Sequence, residues 1–389
     1  MQTQTIVQNT TGASTPSDTD NNWSVAVDSM GSAGIALVSA LKNGLKIGQQ
    51  EIARRLLHAP SVLADNLSPQ SAQQIADYLS EIGLEARALG PDENFESGVG
   101  GYEVAIVDMD YSRAADVLKL LVELTGIPAD NAVKLLSKSP AVVLANISQA
   151  NANVLQQRFA GVGAQLAISE LEQATYDVLL MSNNFASQRE LLQLVKTLRL
   201  PNGNEQHAQN EAVAIQGLNY QQAQELWQAA QERRINCKLL DRAYQRYDIR
   251  LEKVDNEQRE QVAQYLVKQC GIPEKVIGKV LQRLPMGIAS GKELAEAYAL
   301  VESLHGLGAV AVADLTATLN FDLDIDNLKR PDKVEELLVL IGGLAKTHLE
   351  KFFKGKTTRI NGPLNYAQAR WLQHEITKLG CKVSIQKRG

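Results

Sequence analysis

The sequence predicts an α+β protein of about five tandem β-α-α-β-α-β modules, each a three-stranded sheet covered on one face by helices. Three observations predict it. A short strand led by an aromatic residue is written repeatedly: WSVAV from Trp23, YEVAI from Tyr102, YDVLL from Tyr176, YDIRL from Tyr247 and FDLDI from Phe321. The copies are about 71 to 79 residues apart. A second landmark of different chemistry keeps nearly the same step: a helical stretch ends at Gly83, Gly163, Asn236, Gly308 and Gly380, and a short alternating strand follows. Glycine, and next best asparagine, suits the left-handed turn past a helix end. The third observation is the element order inside a unit.

That order is read from the first copy. WSVAVDS alternates as a half-buried strand, and GIALVSALKNGL carries helical spacing at Ile35, Leu37, Val38 and Leu41. GQQEIARRLLHA is a second helix ended by Pro60, and SVLADNL is extended. Ser68 is placed to cap a third helix, PQSAQQIADYLSEI, with Pro69 at its first position. The strand from Leu84 closes the unit. Leu56 and Leu57, Leu135 and Leu136, and Val280 and Leu281 are expected on equivalent buried helix faces. The third copy departs most, because RLPNGNEQHAQNEAV breaks the place of its second helix at Pro201, Asn202 and Gly203.

These landmarks divide the chain into a polar tail at 1–21, expected to be disordered, and modules at 22–90, 101–170, 174–243, 244–315 and 316–389. Residues 91–100, rich in Gly and acid, read as a flexible linker. The later junctions ELEQAT, DRAYQR and DLTATLN are short. Modules two to five are therefore expected to dock as a rigid rod or arc while the first swings.

Composition bounds the function classes. The chain has 389 residues, 44% hydrophobic and 21% charged, an ordinary globular profile. It contains no apolar run long enough to cross a bilayer, and its start lacks the basic and apolar regions of a signal peptide, so a cytoplasmic location is expected. Cys237, Cys270 and Cys381 are too scattered for a disulfide framework or zinc site. A net charge of -5 disfavours wholesale nucleic-acid binding.

Catalytic signals are weak, and the chain is expected not to be an enzyme. GSAGIA at Gly31 lacks the lysine of a phosphate-binding loop and the full dinucleotide fingerprint. His58, His207, His305, His348 and His374 show no metal-ligand spacing. Asp322, Asp324 and Asp326 alternate as in a calcium loop but without its central glycine and final glutamate, and read as one solvated sheet face. No catalytic residue, cofactor or metal site is expected.

The modules resemble the C-terminal domain of the bacterial ribosomal stalk protein. The resemblance rests on the element order and on LLHAPSVLADNLSPQSAQQIADYLSEIGLEARAL in the first copy. It is carried further by the turns at Ile47-Gly48, Thr125-Gly126-Ile127 and Gly271-Ile272-Pro273, and by Pro60, Pro140 and Pro285. Copies three and five are tied to each other by LNYQQAQ from Leu218 and LNYAQAR from Leu364. The resemblance implies recruitment of partners through basic residues on the first two helices. The family's basic positions fall on Ser39, Lys42 and Gln50, on Lys119, Val122 and Asp130, and on Gln264, Val267 and Lys275, so Lys42, Lys119 and Lys275 survive.

A non-enzymatic, multivalent protein–protein scaffold or adaptor, alone or as a subunit of a larger assembly, is the expectation, with no membrane insertion. The alternative is a ribosome-, translation- or RNA-associated factor acting through the basic fifth module. There Lys346, Lys351, Lys354, Lys356, Arg359, Lys382, Lys387 and Arg388 gather, and Phe352 and Phe353 offer one buried anchor and one exposed aromatic. An adaptor that feeds substrates to unfoldases is a third reading, by fold analogy.

Overall fold

The computed structural model describes residues 22–34, 37, 41, 48–181, 185–200, 213–354 and 359–388. The first module contains β1 (Trp23–Ser29), α1 (Gln49–Leu57), β2 (Ser61–Leu67), α2 (Pro69–Glu81) and β3 (Glu85–Leu89). The second contains β4 (Tyr102–Met109), α3 (Ala114–Thr125), α4 (Ala129–Leu136), β5 (Ala141–Ile147), α5 (Gln149–Gly161) and β6 (Ala164–Glu170). The third has β7 (Tyr176–Leu180), α6 (Phe185–Thr197), β8 (Val213–Leu218), α7 (Tyr220–Glu232) and β9 (Cys237–Asp241). The fourth has β10 (Tyr247–Val254), α8 (Arg259–Cys270), α9 (Glu274–Gln282), β11 (Met286–Lys292), α10 (Leu294–Gly306) and β12 (Ala309–Leu315). The fifth has β13 (Phe321–Asp326), α11 (Pro331–Leu340), α12 (Lys346–Phe353), β14 (Arg359–Leu364), α13 (Tyr366–Lys378) and β15 (Lys382–Lys387). Most of the expected first helix of module one, and the expected interruption after Leu200, lie outside the described residues.

Each module folds one antiparallel sheet of three strands with the aromatic-led strand in the centre: β2-β1-β3, β5-β4-β6, β8-β7-β9, β11-β10-β12 and β14-β13-β15. The landmark before the third strand has the conformation its chemistry requires: Gly83, Gly163, Gly308 and Gly380 all sit at positive φ. In the third module Arg234, not the expected Asn236, takes this role at φ 57. The physical reason is that α7 ends with Arg233 as its cap, so the left-handed turn falls on the next residue. A second repeated device was not read from the sequence. One residue before the end of the second strand, Asn66, Asn146, Gly217 and Gly291 are all left-handed, where the register against the central strand shifts. The peptide bonds preceding Pro60, Pro140 and Pro285 are cis.

Helix ends follow local chemistry. The Ser68 side chain accepts from the Ser71 amide, as expected of a cap. The motif shared by copies three and five proves to be a capping box: Asn219 with Gln222, and Asn365 with Gln368, satisfy one another's backbone amides. Within the paired leucines only one member is fully buried, Leu56, Leu136 and Leu281, because adjacent helical residues point about 100° apart.

The last strand of each sheet is an edge, and in four of the five modules a helix side chain blunts it. The carbonyl three residues past the landmark glycine accepts from Ser80 at Ala86 (3.2 Å) and from Gln156 at Leu166 (3.2 Å). It accepts from Gln373 at Val383 (3.4 Å), and it bonds the His305 ring at Ala311 (3.0 Å). Occupying edge carbonyls this way discourages pairing with another chain.

The chain divides into two compact units, residues 1–100 with 148–154, and residues 101–147 with 155–389. In the first, Asn151 is fully buried: its Nδ2 donates to Leu56 O (2.7 Å) and Leu57 O (2.8 Å), and its Oδ1 accepts from the Met30 amide (2.8 Å). Residues 91–100 are bonded too, through Arg87–Glu93 (2.9 Å) and Gly98 N to Pro60 O (2.6 Å).

In the second unit the central strands of modules two and three are buried on both faces. Val178 and Leu180 of β7 enter their own module's core with Ile215 and Leu226. Leu179 and Leu240 point the other way, into a cluster with Ala105, Val107 and Ala167 of module two and Ile249 of module four. The last module also returns to the second, where Asn365 Nδ2 donates to Ser137 O at 2.9 Å. Contacts between modules of this unit thus extend beyond sequence neighbours. The acidic strand β13 is not uniformly solvated: Asp326 is exposed, Asp324 is paired with Arg359, and Asp322 Oδ1 is buried.

Candidate functional site

The junction DRAYQR, expected to be short, is together with Tyr247 largely buried. Asp241, Tyr244, Gln245, Arg246 and Tyr247 are each no more than 5% exposed. Asp241 caps a short 3-10 turn, Arg242–Tyr244, accepting from the Ala243 amide (2.8 Å). Its other oxygen accepts from the Ser169 hydroxyl (2.5 Å). Tyr244 donates to Glu103 (3.1 Å). Gln245 donates to Asp177 (2.7 Å) and accepts from the Tyr247 hydroxyl (2.7 Å). Asp177 also takes the Gly217 amide (3.0 Å) and Arg242 (3.0 Å). The Arg246 carbonyl accepts from the Thr316 amide and hydroxyl, both at 2.9 Å. One short segment thus joins modules two, three and four by polar contacts, each supplying a partner that burial demands.

Burial pushes the carboxyls of Glu103, Asp108, Asp241 and Asp248 above their ordinary values. Burial also pushes Arg246 down, and Glu293, Asp108 and Glu296 act against that. The Tyr176, Tyr244 and Tyr247 phenols are pushed up by burial as well. Lys238, its charge disfavoured by burial, donates to Ser139 O (2.7 Å), past the end of α4.

Two concavities lie in this unit. One, of about 340 Å³, is bordered by α5, by the stretch 164–168 of β6, by Arg246 and by Glu293. The other, an open cleft of about 580 Å³, lies between the turn after β4 and α13 and includes Arg370 and His374, whose Nε2 is buried without a hydrogen bond. Among the described residues no group of three His, Cys, Asp or Glu side chains is placed to hold a metal ion.

The residues expected from sequence to bind partners are scattered. Lys42 and Lys356 lie outside the described residues, as does the Lys351 side chain. Phe352 is buried in the fifth module's core, and the half-buried Phe353 meets it edge-on at 5.0 Å. Lys354 pairs with Glu350 (3.0 Å) and Arg359 with Asp324 (2.8 Å). Lys119 is exposed on α3 with Glu123 at 3.8 Å, and Lys275 is exposed on α9. The sequence reading missed Ser169, Asp241, Arg246 and Glu293. The available signal was RAYQRY, which is richer in aromatic and long side chains than a solvated linker requires.

Comparison of the chain with family models, curated proteins and solved structures finds no match. No helix among the described residues is long and apolar enough to cross a membrane.

Proposed function

We propose that the chain is a non-enzymatic scaffold or adaptor whose stalk-like modules present several protein-binding faces from one body. The observation that carries this reading is the use made of the buried titratable groups in the second unit. Asp177, Asp241, Tyr244 and the neighbouring Gln245 are bonded to one another's modules, so their chemistry goes into holding modules together. Outward helix faces remain for partners; Lys275, Val276 and Lys279 on α9 are exposed together. Several weak sites on one body gain affinity by avidity.

The fifth module's cations support a protein partner more than RNA, because several of them are paired within the chain. Lys346 meets Glu335, Lys378 meets Glu375 and Lys387 meets Asp314. Cross-linking of the full chain in its native cell, read by mass spectrometry, tests the proposal. Recurrent cross-links from helix faces of two or more modules to the same partner are expected. Cross-links confined to one module, or chiefly to RNA, would overturn it. Replacing Lys351, Lys354 and Lys356 by Glu should leave a protein partner bound and would release an RNA held by this face.

A further inference from the structure

The polar cavity beside Arg246 has no part in the scaffold reading and goes beyond it. Arg246 is 4% exposed, and its guanidinium is held from one side: Nη1 donates to Ala243 O (3.1 Å) and Gln245 O (2.8 Å). Its opposite edge is nearly unused. Among the described residues Nε is buried without a hydrogen bond, and Nη2 reaches only Glu293, at 3.4 Å, a residue whose side chain is 63% exposed. The Nε–Nη2 edge of a guanidinium is the fork that matches two carboxylate oxygens. Glu293 is also the N-cap of α10 and makes no side-chain capping bond, so the positive end of that helix adds to the same place.

We propose that this cavity binds a small organic monocarboxylate, which takes the Nε–Nη2 fork of Arg246 and displaces the Glu293 carboxylate. A single negative head fits better than a dianion, because Glu293, Glu296 and Asp108 already act electrostatically on Arg246. The volume of about 340 Å³ is at the small end for ligand sites, and Ala160, Ala164 and Ala167 leave room for a compact apolar body. Ligand bound there would touch both module two and module four.

The test is calorimetric titration of the full chain with acetate, propionate, pyruvate, lactate and benzoate at constant ionic strength. The primary amide of each acid is the control. At least one acid should bind saturably where its amide does not. Glu293→Gln, at an exposed position, should tighten that acid about threefold or more by removing the internal competitor. Arg246→Lys should weaken it about tenfold through loss of the fork. The proposal fails if no acid outbinds its amide in either the wild type or Glu293→Gln, or if Glu293→Gln leaves affinity unchanged. That comparison decides even if Arg246→Lys does not fold. Partner cross-linking is a separate readout, so the two proposals fail independently.

Discussion

The Ser169 hydroxyl donates to the Asp241 carboxylate at 2.5 Å, which links the last strand of module two to the last strand of module three. Both residues are at most 4% exposed. Asp241→Ala leaves the Ser169 hydroxyl and the Ala243 amide without their acceptor, and should cost the second unit about 2–4 kcal/mol. Ser169→Ala removes one donor and should cost about 1–2 kcal/mol. Urea unfolding followed by a probe in this unit checks both, and Asp241→Ala should be the more damaging.

Asp248 sets a pH dependence. Burial raises its carboxyl, the Gly291 amide (3.1 Å) and Arg370 partly oppose that, and the charges of Asp314 and Asp108 add to it. A raised carboxyl favours folding below its unfolded value of about 3.9, and that contribution is lost as pH rises through the folded value. Asp248→Asn should therefore be at least as stable as wild type at pH 7, with an advantage that shrinks on acidification towards about pH 4. Burial would raise Asp314 too, but Arg250 and Lys387 outweigh it and hold the group low. Its contribution is lost only below the ordinary carboxylate range. Denaturation midpoints of the two proteins at several pH values give the difference, and a constant gap would contradict this account.

Asn365 does two tasks that substitution can separate. Its Oδ1 caps α13, and its Nδ2 holds Ser137 O. Asn365→Asp keeps the cap and loses the tie to module two, whereas Asn365→Ala loses both. Asn219→Ala removes only a cap and should cost about 1 kcal/mol. Thermal denaturation should rank Asn365→Ala below Asn365→Asp, and Asn365→Asp below wild type.

Arg234 holds a left-handed φ of 57 that costs an L side chain about 1 kcal/mol. Arg234→Gly should therefore stabilise the third module by roughly 0.5–1 kcal/mol. The reverse change at the equivalent position in module one should harm it. A Cβ on Gly83 would meet Ser32 Oγ at 2.5 Å and Ala33 N at 3.1 Å, so Gly83→Ala should lower the melting temperature of the first unit.

The modules were legible in the sequence because each landmark answers to a local cause. An aromatic-led strand alternates, a proline stops a helix, and a glycine turns the chain; none needs a distant residue. The exception at Arg234 shows the limit, since position relative to the helix cap outweighed residue preference. The junctions were not legible because their causes are non-local. Asp241 is buried by Ser169, 72 residues earlier, and Arg246 is flanked by Glu293. Charge pairing is non-local for a related reason: charge along a sequence does not reveal that Arg359 faces Asp324 across a sheet.

Native-state hydrogen exchange on Asp241→Ala tests most directly the claim that modules two to four share one core rather than standing side by side. Protection should fall in β6 and β10 as well as in β9, because Asp241 bonds Ser169 of module two and caps the turn, Arg242–Tyr244, that leads into β10. Loosening confined to β7, β8 and β9, with β6 and β10 exchanging as in the wild type, would contradict it.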